Sequence, residues 1–270
     1  MYEEREVSFR FGSGMSPMVR KLIIITVVFF VLQLVLGLIA KEQNDFLVII
    51  FALKPVSAIF GLEIWRFITY AFLHGGAFHV LFNMLGLYFF GPDIERNLGS
   101  QKHFLFFYLT AAVVGGLCQT GLAFALGGKI PFLSIIGASG ALMAVIVAAA
   151  LYTPNRIVIL FIFPIKLKYL ALMFIGVDII SVLQEARFGS GNVARLAHLG
   201  GAGFGFLYIK FLPRIKEFIQ NRKEAAQISL EKQDENNERE MDRLLAKVHE
   251  KGMSSLTEKE RRFLMEQSEK

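Results

Sequence analysis

The feature that most constrains this chain is a succession of long apolar runs. The first covers residues 22–40 and is interrupted only by Thr26, Gln33 and Gly37. About 20 apolar residues in a helix cross a bilayer, because each residue rises 1.5 Å and the hydrocarbon core is about 30 Å thick. Five more runs follow at residues 75–90, 104–126, 137–152, 167–183 and 193–212. The expected architecture is therefore an all-α membrane protein, a bundle of six transmembrane helices. Composition agrees: 54% of the residues are apolar and 19% are charged, against about 25% charged in average soluble chains. The mean hydropathy is +0.50. A disordered chain, a collagen-like chain and an ordinary soluble enzyme are excluded.

The first run could compete as a signal peptide, whose apolar core is about 7–15 residues and ends in small residues. This run is longer and exits into Lys41-Glu42-Gln43, so it reads as a retained helix. Residues 41–73 read as a long connection lying partly in the membrane interface. Residues 157–163 are apolar but run into Pro164, and are expected in a loop. From residue 214 the composition changes to 13 basic and 13 acidic residues, so the net charge of +6 comes entirely from residues 1–213. A basic excess on short loops sets orientation. Arg5, Arg10, Arg20, Lys21, Arg96, Lys102, Arg156, Lys166 and Lys168 fall on one side, and both termini are expected in the cytoplasm. Nucleic acid is not needed to explain the charge.

The expected domains are a cytoplasmic N-terminal segment (1–18), a six-helix membrane domain (19–213), a polar linker (214–238) and a cytoplasmic helical hairpin (239–270). Residues 241–248 carry helical periodicity, Gly252 can end that helix, and Thr257-Glu-Lys-Glu260 is a capping-box pattern. The single cysteine, Cys118, lies in an apolar run and reads as a packing residue.

Strongly polar side chains inside spans are expensive and usually functional. The second span carries His74, His79 and Asn83. The fourth opens with Gly137-Ala138-Ser139-Gly140, and the sixth carries His198 ahead of Gly201 and Gly205. With the N-terminus inside, these three spans all enter from the outer side. The polar groups then fall within roughly the outer 5–15 Å of the membrane. Such a set can do nucleophilic catalysis. A serine hydroxyl needs a base to take its proton, and histidine is the usual one. His79, Asn83 and the Ser139 amide can donate to an oxyanion. Gly201 and Gly205 form a small-xxx-small pattern, and pressing it on the fourth span would bring His198 to Ser139.

These residues resemble the rhomboid intramembrane serine proteases over about residues 18–212. Trp65-Arg66 resembles the family's Trp-Arg pair in the first loop. His79-x-x-x-Asn83, with His74 five residues earlier, resembles its oxyanion segment. Glu95-Arg96 and Gly99 resemble its cluster after the second span. Gly137-x-Ser139-Gly140 resembles the nucleophile segment, and His198-x-x-Gly201-x-x-x-Gly205 the last span. The tail resembles a C-terminal hairpin of some prokaryotic members. The resemblance implies a Ser139–His198 dyad without an aspartate, with His79, Asn83 and the Ser139 amide holding the oxyanion. It implies transmembrane proteins as substrates, cut where their helices unwind, with the lipid bilayer as surroundings. It implies no metal or cofactor, no required oligomer, and a multi-pass protein of a prokaryotic cytoplasmic membrane. Some members carry a tyrosine four residues after the serine, packed on the histidine; here that position is Met143. Asp178 is the only carboxylate in the fifth span's apolar run and reads as a structural hydrogen-bond partner, with orientation of His198 the lesser alternative.

Two other readings stand beside the protease. One is a catalytically inactive rhomboid-like factor that binds transmembrane helices; such proteins usually lack the serine or the histidine, and both are present. The other is a small transporter using His74, His79, Asn83 and Asp178, which expects paired repeats with broken helices that this sequence does not show.

Overall fold

The computed structural model describes residues 15–40, 46–128, 130–160, 163–188 and 194–268. Most of the N-terminal segment, Lys41-Glu42-Gln43, Lys129 and Val193 lie outside the described residues. The chain divides into two compact units, residues 1–210 and 211–270.

In the first unit each of the six apolar runs is helical. The helices are α1 (Pro17–Ala40), α5 (Ala77–Leu98), α6 (Gln101–Leu126), α7 (Ser139–Tyr152), α8 (Leu167–Phe188) and the start of α9 (Arg195–Lys251). Three short helices fill the first connection: α2 (Phe46–Phe51), α3 (Pro55–Phe60) and α4 (Arg66–Thr69). By length and hydropathy, α1, α6 and α8 can each cross a membrane. The count rises to four if α5 is joined to residues Arg66–Phe72, from which it is bent by 99°. Length and hydropathy therefore account for several crossings rather than all six. The helices turn large apolar side chains outward, among them Ile24, Val28, Leu32 and Val35 on α1 and Leu172, Ile180 and Leu183 on α8. Surface of that kind is at home in lipid and not in water.

At the centre stands α7. Its residues from Gly140 to Ala150 are all buried, as a helix that is apolar on every face must be. Its 14 residues make a rod of about 21 Å, shorter than the hydrocarbon core of a bilayer. Helices α5, α6 and α8 pack around it.

In the stretch expected as a loop, residues 157–160 and 163 are instead in paired antiparallel strands. Strand β1 (Ile157–Leu160) pairs with β2 (Phe163–Lys166), Val158 opposite Ile165 and Ile159 opposite Pro164. The β-branched Ile-Val-Ile run favours a strand. Pro164, the reason for expecting a loop, is tolerated because a two-stranded ribbon has only edge strands.

Helix ends in this unit are closed by side chains from elsewhere. The buried Glu95 carboxylate of α5 accepts from the Ser16 hydroxyl at 2.5 Å, the Met18 amide at 3.2 Å and the Val19 amide at 3.0 Å. It thereby caps the first turn of α1, where amides lack intrahelical partners and negative charge is favoured. Asp93, two residues earlier, pairs with Arg96 and with Arg156 ahead of β1. Replacing Glu95 by Ala leaves these buried donors without an acceptor. The expected cost is about 1–3 kcal/mol, read as a lower thermal midpoint in detergent, with Glu95→Gln intermediate.

In the second unit, residues 214–238, expected as a polar linker that is helical or flexible, are helical and belong to α9. The reason is visible afterwards: residues 214–251 contain no Gly and no Pro. Helix α9 stops at Gly252, whose φ is +75°, and α10 (Glu258–Ser268) follows. Leu244 and Leu256 are buried there. Glu260 accepts from the Thr257 amide at 2.8 Å and from Lys247 at 2.8 Å, while the Thr257 hydroxyl accepts from the Glu260 amide at 3.3 Å. The Lys247 and Thr257 bonds hold the Glu260 carboxyl well below the usual carboxylate range, at about 2. A depressed carboxyl stabilises the fold fully above its unfolded pKa, near 4.5, and stops doing so as the pH falls through the folded value. Glu260→Gln is expected to lower hydrogen-exchange protection of residues 257–268 at pH 7. The difference from wild type should shrink as the pH falls from 4.5 towards 2.

Candidate active site

The N-terminus of α7 is set by the loop before it. Leu53 and Ile135 exchange backbone bonds at 3.0 and 2.9 Å, and the Gly137 amide donates to the Tyr70 carbonyl at 2.9 Å. The Tyr70 hydroxyl in turn donates to the Ala112 carbonyl of α6 at 2.8 Å. Gly137 has φ +130°, and a Cβ there would stand 2.8 Å from Cε1 of His79. Only glycine fits both the torsion and the space. The consequence is that the His79 ring lies against the turn leading into Ser139. Ser139 is the first residue of α7, so its amide has no intrahelical acceptor.

The first connection is anchored by Trp65-Arg66. Arg66 is buried; it donates to the carbonyls of Ala52 at 2.6 Å and Ile49 at 2.8 Å and pairs with Glu63. Trp65 Nε1 donates to Ile50 at 3.3 Å, and the Thr69 hydroxyl to Phe51 at 2.8 Å. Four successive carbonyls at the end of α2 thus find donors on one stretch of chain, the obligation that every helix end carries. Arg66 is a buried clamp.

That stretch leads into the bend before α5, where His74 lies. Gln33 of α1 brackets its backbone, accepting from the His74 amide at 3.1 Å and donating to its carbonyl at 3.4 Å. The His74 ring meets that of His79 edge-on, with centroids 4.9 Å apart. Its nitrogens have no partner among the described residues. Beside it lies a cavity of about 230 Å³, lined in part by Gln33, His74 and Gly75. That is room for waters that would satisfy the ring. His79 Nδ1 accepts weakly from the Gly75 amide at 3.4 Å, which leaves Nε2 as the proton-bearing donor. Asn83 is buried and donates to the His79 carbonyl at 3.0 Å. That bond runs along its own helix, and an amide has a second hydrogen to offer.

His198 comes from the first turn of α9. Gln119 of α6, fully buried, accepts from the amides of Leu196 and Ala197, both at 3.1 Å, and so caps α9 just ahead of the histidine. The helices then meet backbone to backbone. A Cβ on Gly201 would stand 1.9 Å from the Gly140 carbonyl oxygen, and one on Gly205 would stand 2.6 Å from that of Ala144. Gly140 faces the Ala197 carbonyl, and Gly115 of α6 touches that same carbonyl. Cys118 packs on Gly200.

This approach puts His198 Nε2 at 2.6 Å from Ser139 Oγ, bond distance for a base and a hydroxyl. On the far side, Asp178 of α8 contacts His198 Nδ1 at 3.1 and 3.2 Å, and Arg195 Nη1 reaches Asp178 at 3.2 Å. The Asp178 side chain is 4% exposed and that of His198 18%. Ser139, His79, His198, Gly137 and Gly140 thus lie together at the head of α7, Gly201 and Gly205 lie along the contact of α9 with α7, and Trp65, Arg66 and His74 lie in the stretch that leads into α5. Met143 is buried one turn below Ser139. The sequence had given Asp178 a structural bond in preference to contact with His198, and it did not single out Gln119. The signal for both was the same, a strongly polar side chain inside an apolar helix. Among the described residues, no group of three or more His, Cys, Asp or Glu side chains could hold a metal ion.

A helical membrane bundle with a serine, a histidine and a glycine-lined turn at the head of a buried helix is matched in known proteins. The rhomboid domain family model covers residues 61–215, and the chain belongs to the rhomboid family. Residues 230–270 match a further family of unknown function. RHOMBOID-like protein 12, mitochondrial, of Arabidopsis thaliana is 34% identical over 147 residues, 50% of this chain and 42% of that protein. Rhomboid protease GlpG of Yersinia pestis (strain Pestoides F) is 28% identical over 108 residues, 40% of this chain and 36% of that protein. The chain thus spans about two fifths of the length of these curated relatives.

The contact of α7 and α9 gives a direct test. Gly201→Ala must displace a backbone carbonyl, and is expected to cost about 1–3 kcal/mol. At Gly203 a Cβ meets nothing within 4 Å, so Gly203→Ala should leave the thermal midpoint within a degree or two of wild type.

Proposed function

We propose that this protein is an intramembrane serine endopeptidase that hydrolyses peptide bonds in or near transmembrane segments of other membrane proteins. The observation that carries the reading is the 2.6 Å contact of Ser139 Oγ with His198 Nε2 in a bundle of the rhomboid family. The relatives named rhomboid protease support it.

In this reading six helices cross the membrane, α1, α5, α6, α7, α8 and the first part of α9, and both termini lie in the cytoplasm of a prokaryotic cell. Because α7 is short, Ser139 sits below the outer face, within reach of water. His198 Nε2 takes the hydroxyl proton as Ser139 Oγ bonds to the scissile carbonyl carbon. The carbonyl electron pair moves to oxygen. The Ser139 amide, His79 Nε2 and the second Asn83 hydrogen stabilise the resulting oxyanion. The imidazolium then returns its proton to the departing amide nitrogen as the C–N bond breaks. Water attacks the acyl-enzyme by the same route in reverse. Helical peptide bonds are shielded, so a substrate segment must unwind. Gly, Ser or Pro in that segment lowers the cost. A single chain holds every one of these groups.

Purified protein in detergent is expected to react with a fluorescent fluorophosphonate and to cleave a transmembrane substrate. Ser139→Ala and His198→Ala, folded by thermal melt, should lose cleavage by about 10³-fold or more. A well-folded wild type that neither reacts nor cleaves would replace this reading with that of an inactive helix-binding relative.

A further inference from the structure

We propose that Asp178 is a positioning residue for His198, making the site a Ser139–His198–Asp178 triad in which Arg195 tunes the carboxylate. The inference rests on the protease reading and adds to it a third residue, on a third helix.

Geometry carries it. Asp178 and His198 come from α8 and α9, which are separate helices. The carboxylate reaches Nδ1 with both oxygens, at 3.1 and 3.2 Å, while Nε2 faces Ser139. A carboxylate only accepts hydrogen bonds, so Nδ1 must carry the ring proton and Nε2 must present its lone pair to the serine. That is the tautomer a general base requires. When Nε2 takes the serine proton, the ring becomes cationic, and a buried carboxylate at Nδ1 stabilises it. Asp178 keeps its charge throughout and takes no proton.

Burying a lone carboxylate is costly. Arg195, one turn ahead of His198 on the same helix, offsets that cost by donating to Oδ1. Among the described residues, the ionisable groups nearest His198 on other helices are Asp178 from α8 and, across the site, His79 from α5. Arg195 on its own helix acts through Asp178. A merely structural Asp178 would need only to satisfy Arg195; nothing in that role brings it to Nδ1.

The test is the pH dependence of kcat/KM for a peptide substrate, measured with Asp178→Asn, Asp178→Glu and Arg195→Gln in detergent. Asparagine keeps the shape, removes the charge and can turn an N–H towards Nδ1, which enforces the wrong tautomer. Asp178→Asn is expected to lower kcat by about 10²-fold or more with KM little changed. It should also move the acid-side midpoint down, because the imidazolium loses a negative neighbour. Arg195→Gln should move that midpoint up, because the carboxylate then acts on the imidazolium uncompensated. Opposite displacements from two partners of one ion pair are not produced by lost packing. Asp178→Glu should recover part of the loss.

An independent reading is the ¹⁵N-histidine spectrum of Ser139→Ala. The Nδ1–H tautomer of His198 is expected there and should vanish in the double variant with Asp178→Asn. A folded Asp178→Asn enzyme with unchanged kcat and acid midpoint overturns the proposal, as does an Nε2–H tautomer in Ser139→Ala. If the wild type is inactive, the protease reading fails separately, and the tautomer alone decides whether Asp178 positions the ring.

Discussion

Everything at the site depends on two helices touching without side chains between them. Gly201 and Gly205 lay α9 against the Gly140 and Ala144 carbonyls of α7. Ser139 precedes Gly140 on one helix, and His198 lies three residues ahead of Gly201 on the other. The distance between Oγ and Nε2 is therefore fixed by backbone contact and not by the flexible packing of larger side chains. In lipid, helices gain nothing from hiding apolar surface from one another, so close approach and polar contacts must hold them.

The second organising demand is that no backbone polar group in such surroundings can go unpaired. Long helices meet it internally, except at their ends. Here the ends are closed from a distance: α1 by Glu95, the end of α2 by Trp65, Arg66 and Thr69, and the start of α9 by Gln119. Each closure also fixes the placement of something nearby. The α2 clamp holds the approach to His74 and His79, and the Gln119 cap holds His198. Closing a helix end and placing the side chains of the candidate site thus fall to neighbouring residues of the same segments.

Local patterns were readable from the sequence. The apolar runs are helices because that pattern depends only on what each residue can bury. The Thr257–Glu260 box depends on residues three apart. The close approach at Gly201 and Gly205 was legible because small residues four apart let one helix press on another. What could not be read is pairing across the bundle. Nothing in the neighbourhood of Asp178 tells which helix it will face, and Gln119 looks like any amide in an apolar run. The strand at 157–160 was missed for another reason: Pro164 argues against a strand within a sheet but not against one in a lone hairpin. For the polar run before the hairpin the sequence leaves a helical or a flexible course open, and the lack of Gly and Pro over 214–251 favours the helix.

The cap that Glu95 places on α1 bears on how the protein is made. The Ser16 hydroxyl and its acceptor are separated by 79 positions in the chain. Ribosomes add about 5–20 residues per second, so the head of α1 is synthesised roughly 4 to 16 seconds before the carboxylate that closes it. During that interval its first amides must be served by water or lipid headgroups, which favours keeping that end at the membrane surface. Insertion of α5 then exchanges solvent for a permanent partner. Helix α1 is in this sense finished only after later helices arrive.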